Sequence, residues 1–348
     1  MDRDRGRDTG KGKGRGRDEG RDTGARSSPC PGPGPGRGRD SGRGDGIAGG
    51  GVRVGACSWT DRALVNSGWY PEGSRDAEGR LRHYASRFSL VEVDSSYYAL
   101  PSARNSALWV DRTPEGFRFD VKAFSALTGH PTRQGVLPAE LRGLPQGPEL
   151  REEVWRRFTE AVRPLREAGR LGTVLFQFPP WFSPGSRAVA ALRECAERAA
   201  DWPVAVEFRH PAWWRERQYD ATCALLAELG LAAVAVDMVQ TLPTSIPPVT
   251  PVTSLRMAVV RFHGRSPAWG TGSKEERFRY DYTADELREW IPRLRTMADR
   301  TEELHVLFNN CCGEAAVRAA ARMEELLRDE WGERVDVSRE TGDTARLA

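Results

Sequence analysis

The sequence predicts a single (β/α)8 TIM-like barrel behind a disordered N-terminal tail. Three observations carry this. Eight short β-rich runs alternate with amphipathic stretches from residue 52 onward. The runs are dense in Val, Leu and Phe, as strands buried on both faces are. The first 50 residues hold 16 of the 36 glycines and almost no large apolar side chain. Such a segment buries too little surface to offset its ordering entropy.

The expected strands are 53–57, 90–94, 117–123, 173–178, 204–209, 232–237, 259–263 and 305–309. The expected helices are 81–88, 103–111, 149–168, 187–198, 220–229, 284–297 and 314–327. Alternation of this kind argues for a parallel sheet, and eight strands over about 280 residues fit a closed barrel. A doubly wound open sheet is the alternative. The first strand is not followed by G-x-G-x-x-G, which counts against a dinucleotide-binding version. Three connections are long: 127–148, 239–255 and 264–282. The second is rich in proline, so a barrel helix is expected to be missing or shortened after strand six. All three follow strands and so belong over the C-terminal face of a barrel, where lids and sites form. The domain reading is a tail at 1–50, a barrel at 51–332 and a polar extension at 333–348.

The tail carries 12 Lys+Arg against 8 Asp+Glu, which leaves the body 40 against 41. The basic excess therefore belongs to the tail, and a basic nucleic-acid-binding body is not indicated. Weak nucleic-acid contact by residues 1–50 stays open. The cysteines show no CxxC pair, so free thiols are expected. No apolar run reaches the ~18 residues of a membrane span. A cytoplasmic protein without a membrane partner is the resulting expectation.

Polar residues collect at the strand ends. They are Glu92 and Asp94, Asp120 and Lys122, Gln177, then Glu207, Arg209 and His210. Asp237 follows, then Arg261, His263 and Arg265, and finally Asn309 and Asn310. Residues two apart on a strand share a face, so these side chains are expected to meet in one pocket. Lys122 stands out: the chain has 48 Arg and only 4 Lys, and this one sits in an apolar strand. Lys122 and the arginines supply donors suited to phosphate or carboxylate. Glu207 and Asp237 are the candidate acid/base carboxylates, with His263 as proton shuttle and Lys122 as charge stabiliser. Glu92, Asp94, Gln177, Arg209, His210, Arg261, Arg265, Asn309 and Asn310 are the candidate ligand-binding set. A divalent metal on Glu207, Asp237 and His263 is a competing reading, although neighbouring cations oppose it and no H-E-x-x-H motif occurs. Cofactors are otherwise unassigned. The Cys311–Cys312 pair reads either as a reactive thiol or as small residues in a tight turn. Tyr97, Tyr98, Trp181 and Trp269 are placed to wall a pocket.

The motifs carry a resemblance. WYPEG at 69–73, YASRFSLVEVDSSYYALP at 84–101, TPEGFRFDVKA at 113–123, LFQFPPWF at 175–182, VEFRHPAWW at 206–214, VRFHGR at 260–265 and FNN at 308–310 run in order. Together they resemble the YecE-like family, the domain of unknown function 72. The resemblance implies a TIM-barrel-like fold and implies no reaction. The expected function is an enzyme acting by acid/base chemistry on a small phosphorylated or carboxylated substrate. A non-catalytic ligand-binding barrel is the alternative.

Overall fold

The structure is a computed structural model that describes residues 51–145 and 147–332. The expected disordered tail and the expected polar extension at 333–348 lie outside the described residues.

Eight parallel strands close a barrel in sequence order. They are β1 (Gly51–Ala56), β2 (Leu90–Val93), β3 (Arg118–Lys122), β4 (Leu171–Phe178), β5 (Val204–Phe208), β6 (Ala232–Asp237), β7 (Met257–Phe262) and β8 (Glu303–Phe308). Around them run α1 (Arg62–Asn66), α2 (Ala77–Arg87), α3 (Ala103–Asp111), α4 (Pro148–Glu167), α5 (Ser186–Arg198) and α6 (Glu216–Glu228). The second half adds α7 (Lys274–Phe278), α8 (Ala284–Arg288), α9 (Ile291–Ala298) and α10 (Ala315–Trp331).

Each strand is almost wholly buried, which explains the absence of a polar alternate face in its sequence. The ladder between β1 and β2 is short, with registers only at Gly55↔Leu90 and Ala56↔Val91. Gly55 permits that closeness: a Cβ there would lie 2.0 Å from the Leu90 carbonyl oxygen. The Tyr84 hydroxyl of α2 stitches the same place. It accepts from Ala56 N at 2.7 Å and donates to Leu90 O at 3.0 Å.

One expected helix differs instructively. The stretch 284–297 divides into α8 and α9. Pro292 sits in the first turn of α9, and the chain before a proline is pushed away from helix. A complete capping box, Thr283 with Glu286, starts α8. Between β6 and β7 there is no helix, as the prolines predict. A side chain closes that gap instead. Thr253 Oγ1 accepts from Ala233 N at 2.8 Å and donates to Leu231 O at 2.7 Å, so the start of β6 keeps its backbone groups paired. Cys57, Cys195, Cys311 and Cys312 are free thiols. Cys223 is not one of them, and Cys30 lies outside the described residues. No helix among the described residues is long and apolar enough to cross a membrane.

Candidate functional site

The barrel interior carries two polar layers. The deeper one joins Asp120 on β3 to His305 on β8, across the barrel. His305 Nδ1 lies 2.9 Å from both Asp120 carboxylate oxygens, and its Nε2 lies 3.5 Å from Glu303 Oε1. Glu303 in turn pairs with Arg53 on β1. Burial opposes a charge on His305, but Asp120 and Glu303 overcome it and raise its pKa to about 9. Gly172 makes room for the pair, since a Cβ there would stand 2.4 Å from Asp120 Oδ1.

The upper layer centres on Arg261, which is wholly buried. Nε donates to Glu92 Oε2 at 2.9 Å and Nη2 to Glu92 Oε1 at 2.7 Å. Nη1 donates to Glu207 Oε2 at 2.5 Å and to Gln177 Oε1 at 3.4 Å, and Nη2 also meets Cys57 Sγ at 3.5 Å. All five N–H groups of the guanidinium thus have an acceptor, which a buried cation demands and a lysine ammonium does not reproduce. Burial alone would raise the Glu207 pKa, but Arg261, His263 and Arg209 hold it well below the usual carboxylate range. Glu92 is pushed up by burial, against the pull of Arg261.

Glu207 Oε1 takes two more partners, Arg209 Nη1 at 2.9 Å and His263 Nε2 at 3.1 Å. His263 Nδ1 lies 2.9 Å from Asn309 Nδ2. An amide nitrogen only donates, so Nδ1 accepts and the ring proton sits on Nε2, given to Glu207. Burial drives the His263 pKa down to about 3. This histidine is a neutral strut between two fixed partners.

Above this layer opens a cavity of about 310 Å³ at the C-terminal ends of the strands. Lys122, Gln177, Arg209, His263 and Asn309 form its floor, and Asp61, Asp94 and Cys311 its side. Tyr97, Tyr98, Trp269 and Phe278 supply aromatic walls. Trp269 and Phe278 come from the long connection after β7. The Lys122 ammonium lies 4.7 Å from the centre of the Tyr97 ring and makes no hydrogen bond to a described residue. Burial lowers its pKa, helped by Arg261 and opposed by the acids around it. Arg209 lies 5.4 Å over the Trp269 ring. Its contact with Glu207 occupies one nitrogen and leaves the others without a hydrogen bond to a described residue. Asp61 is committed elsewhere, accepting from Ala63 N and Leu64 N at the start of α1.

Several expected site residues stand apart from this cavity. Asp237 faces outward from β6 and accepts from Arg265, from the Tyr282 hydroxyl at 2.6 Å and from Trp290 Nε1 at 2.7 Å. Arg265 is held there by Asp237 and by Glu289 at 3.0 Å. His210 Nδ1 accepts from Ala212 N and caps the short turn Pro211–Trp214. Asn310 donates to Tyr280 O at 2.7 Å. Glu207 and Asp237 therefore do not form a facing pair. Among the described residues, no group of three or more His, Cys, Asp or Glu side chains is arranged to share a metal ion. Burial raises the pKa of Cys311, whose thiol donates to Cys57 O at 3.1 Å, so it is no poised thiolate.

Sequence reasoning passed over Asp61 and Phe278 in the cavity and His305 below it. The spacing of Glu303 and His305 on β8, in phase with Asn309 just beyond it, carried the signal for His305, because residues two apart share a face.

The geometry can be set beside known proteins. The model of the family described as "Protein of unknown function DUF72" matches residues 53–342. The chain belongs to the DUF72 family. It is 34% identical over 286 residues to the UPF0759 protein YunF of Bacillus subtilis, covering 80% of this chain and 96% of that one. The UPF0759 protein YecE of Escherichia coli K12 is 28% identical over 154 residues, 44% of this chain and 50% of YecE. Among solved structures, a DUF72 protein of Thermotoga maritima aligns with a TM-score of 0.65 and 30% identity, covering 80% of this chain and 99% of that one. A DUF72 protein of Enterococcus faecalis aligns with a TM-score of 0.66 and 26% identity, covering 80% and 98%. These neighbours support the barrel and bring no reaction with them.

Proposed function

We propose that this DUF72 chain is an enzyme that binds a small carboxylated or phosphorylated molecule in the 310 Å³ cavity and acts on it with Lys122 as the proton-transferring or attacking group. One observation carries the reading. Lys122 and Arg209 are the cations on the cavity floor whose donors are not all committed to the protein. Arg261, wholly buried, is neutralised by Glu92 and Glu207. A ligand anion would meet Lys122 as a point charge and Arg209 as a half-free fork. Glu207 and His263 then act as positioning residues that hold Arg209 and the floor.

A non-catalytic binding barrel is the second reading. The saturation of Glu207, Asp237 and His263 favours it, because acid/base chemistry needs a group that changes its protonation. Nucleic-acid contact by residues 1–50 rests on composition alone and predicts that removing them abolishes salt-sensitive RNA retention.

A thermal-shift panel on the full-length chain tests the main reading. Inorganic phosphate, small carboxylates, nucleotides and divalent metals are compared. A ligand that binds only the folded state raises the melting temperature by mass action. The expected result is a rise with a small anion that disappears in Lys122→Met. A rise produced only by a divalent metal, or an anion effect untouched by Lys122→Met, contradicts the reading.

A further inference from the structure

We infer that Lys122 is a carbonyl-capturing amine, forming a Schiff base with a small oxo acid whose carboxylate or phosphate docks on Arg209. This rests on the anionic-pocket reading above and names the substrate class and the covalent step.

Five features of the site converge on it. The Lys122 amine lies on the floor of an open cavity and is not tied down by a hydrogen bond to a described residue. Its contact is the face of the Tyr97 ring, which orients the side chain without occupying its nitrogen. Arg209 shares the cavity and keeps donors for an anion, so a carbonyl could sit on one group while its acid group sits on the other. Asp94 also lines the cavity and acts electrostatically on Lys122, so a carboxylate shares the cavity with the amine. Burial and Arg261 favour the neutral amine, the nucleophilic form. No other cavity-lining side chain combines nucleophilicity with freedom: the Cys311 thiol is pushed up by burial and His263 is held at both nitrogens.

The nitrogen lone pair attacks the carbonyl carbon and forms a C–N bond. The carbonyl π pair moves to oxygen, which takes up a proton while nitrogen gives one up, leaving a carbinolamine. A further proton on that hydroxyl lets the C–O bond break and water depart, and the nitrogen lone pair closes the imine, protonated at nitrogen. Asp94 and solvent are the proton carriers. No oxidant or reductant is needed.

The test is reductive trapping on the full-length, unsubstituted chain. Glyoxylate, pyruvate and glycolaldehyde phosphate are each incubated with sodium cyanoborohydride, which delivers hydride to an imine carbon. Peptide mapping by mass spectrometry then locates the adduct. The other three lysines, Lys11, Lys13 and Lys274, are internal controls. The expected result is an adduct at Lys122 that clearly exceeds those at the three controls, as a neutral amine in a binding pocket should give. Excess inorganic phosphate should suppress it at Lys122 alone. Labelling of Lys122 no faster than the controls overturns the inference. If anions still raise the melting temperature in that case, the pocket reading survives without the covalent step; if they do not, both fall together.

Discussion

Arg261 and His305 show what a charge needs before it can sit inside a barrel. Arg261 gives every N–H an acceptor among Glu92, Glu207, Gln177 and Cys57. Arg261→Met would leave two buried carboxylates facing one another, and we expect a loss of roughly 3–5 kcal/mol of unfolding free energy in urea titrations. A loss below about 1 kcal/mol, the range of an exposed ion pair, would contradict the buried network. The two interior histidines give opposite pH signatures. His305 titrates near 9 in the folded chain, above its ordinary 6.5. Its contribution is complete below pH 6.5 and lost as the pH rises through 9, and it is on the order of 3 kcal/mol. His263 titrates near 3. The unfolded chain takes up that proton first, so stability also falls as the pH drops from 6.5 towards 3. Stability should therefore peak near neutral pH. Imidazole NMR checks the assignment directly: a His305 titration near 6.5, or a His263 that protonates above pH 5, would contradict it.

At the scale of elements, most of the barrel was legible in the sequence because buried parallel strands write themselves as continuous apolar runs. The bounds of β6 and α3 agree with the expectation residue for residue, and the proline-rich stretch after β6 carries no helix. What was not legible is which way a strand-end residue points. Asp237 and Arg261 both close apolar strands, yet Asp237 registers with Phe262 and faces the helices while Arg261 registers with Val236 and faces the interior. One residue of parity separates them, and the partners that claim Asp237, Tyr282 and Trp290, come from 45 and 53 residues away. The Thr253 bridge was equally hidden, because a threonine in a loop carries no pattern. Its test is simple. Thr253→Val keeps the shape and leaves Ala233 N–H and Leu231 C=O unpaired, costing about 1–3 kcal/mol. An unchanged unfolding midpoint would mean that the connection, not the hydroxyl, holds the start of β6.

For the whole molecule, the architecture separates support from chemistry. The two interior polar layers are internally neutralised, and the open cavity above them is lined from every strand end except that of β6. Exposed Tyr98 and Trp181, at 52% and 62% of their full accessibility, widen the aromatic rim: Trp181 meets His130 edge-on, and His130 meets Tyr97 in the same way. The solved DUF72 neighbours share the barrel, so function has to be sought in the residues of this cavity and not in the fold.

On the reading proposed above, small anions bind on Lys122 and Arg209, and Asp237 plays no part in holding them. Isothermal titration of the full-length chain with the anion that most raises its melting temperature measures this directly, beside Arg209→Gln and Asp237→Asn. The account predicts an affinity loss of about tenfold or more in Arg209→Gln, equivalent to one charge-assisted hydrogen bond of roughly 1.5–3 kcal/mol. Folded Asp237→Asn should bind as the unsubstituted chain does. Equal binding by Arg209→Gln, or lost binding in folded Asp237→Asn, would contradict the account and move the site to the outer face of β6.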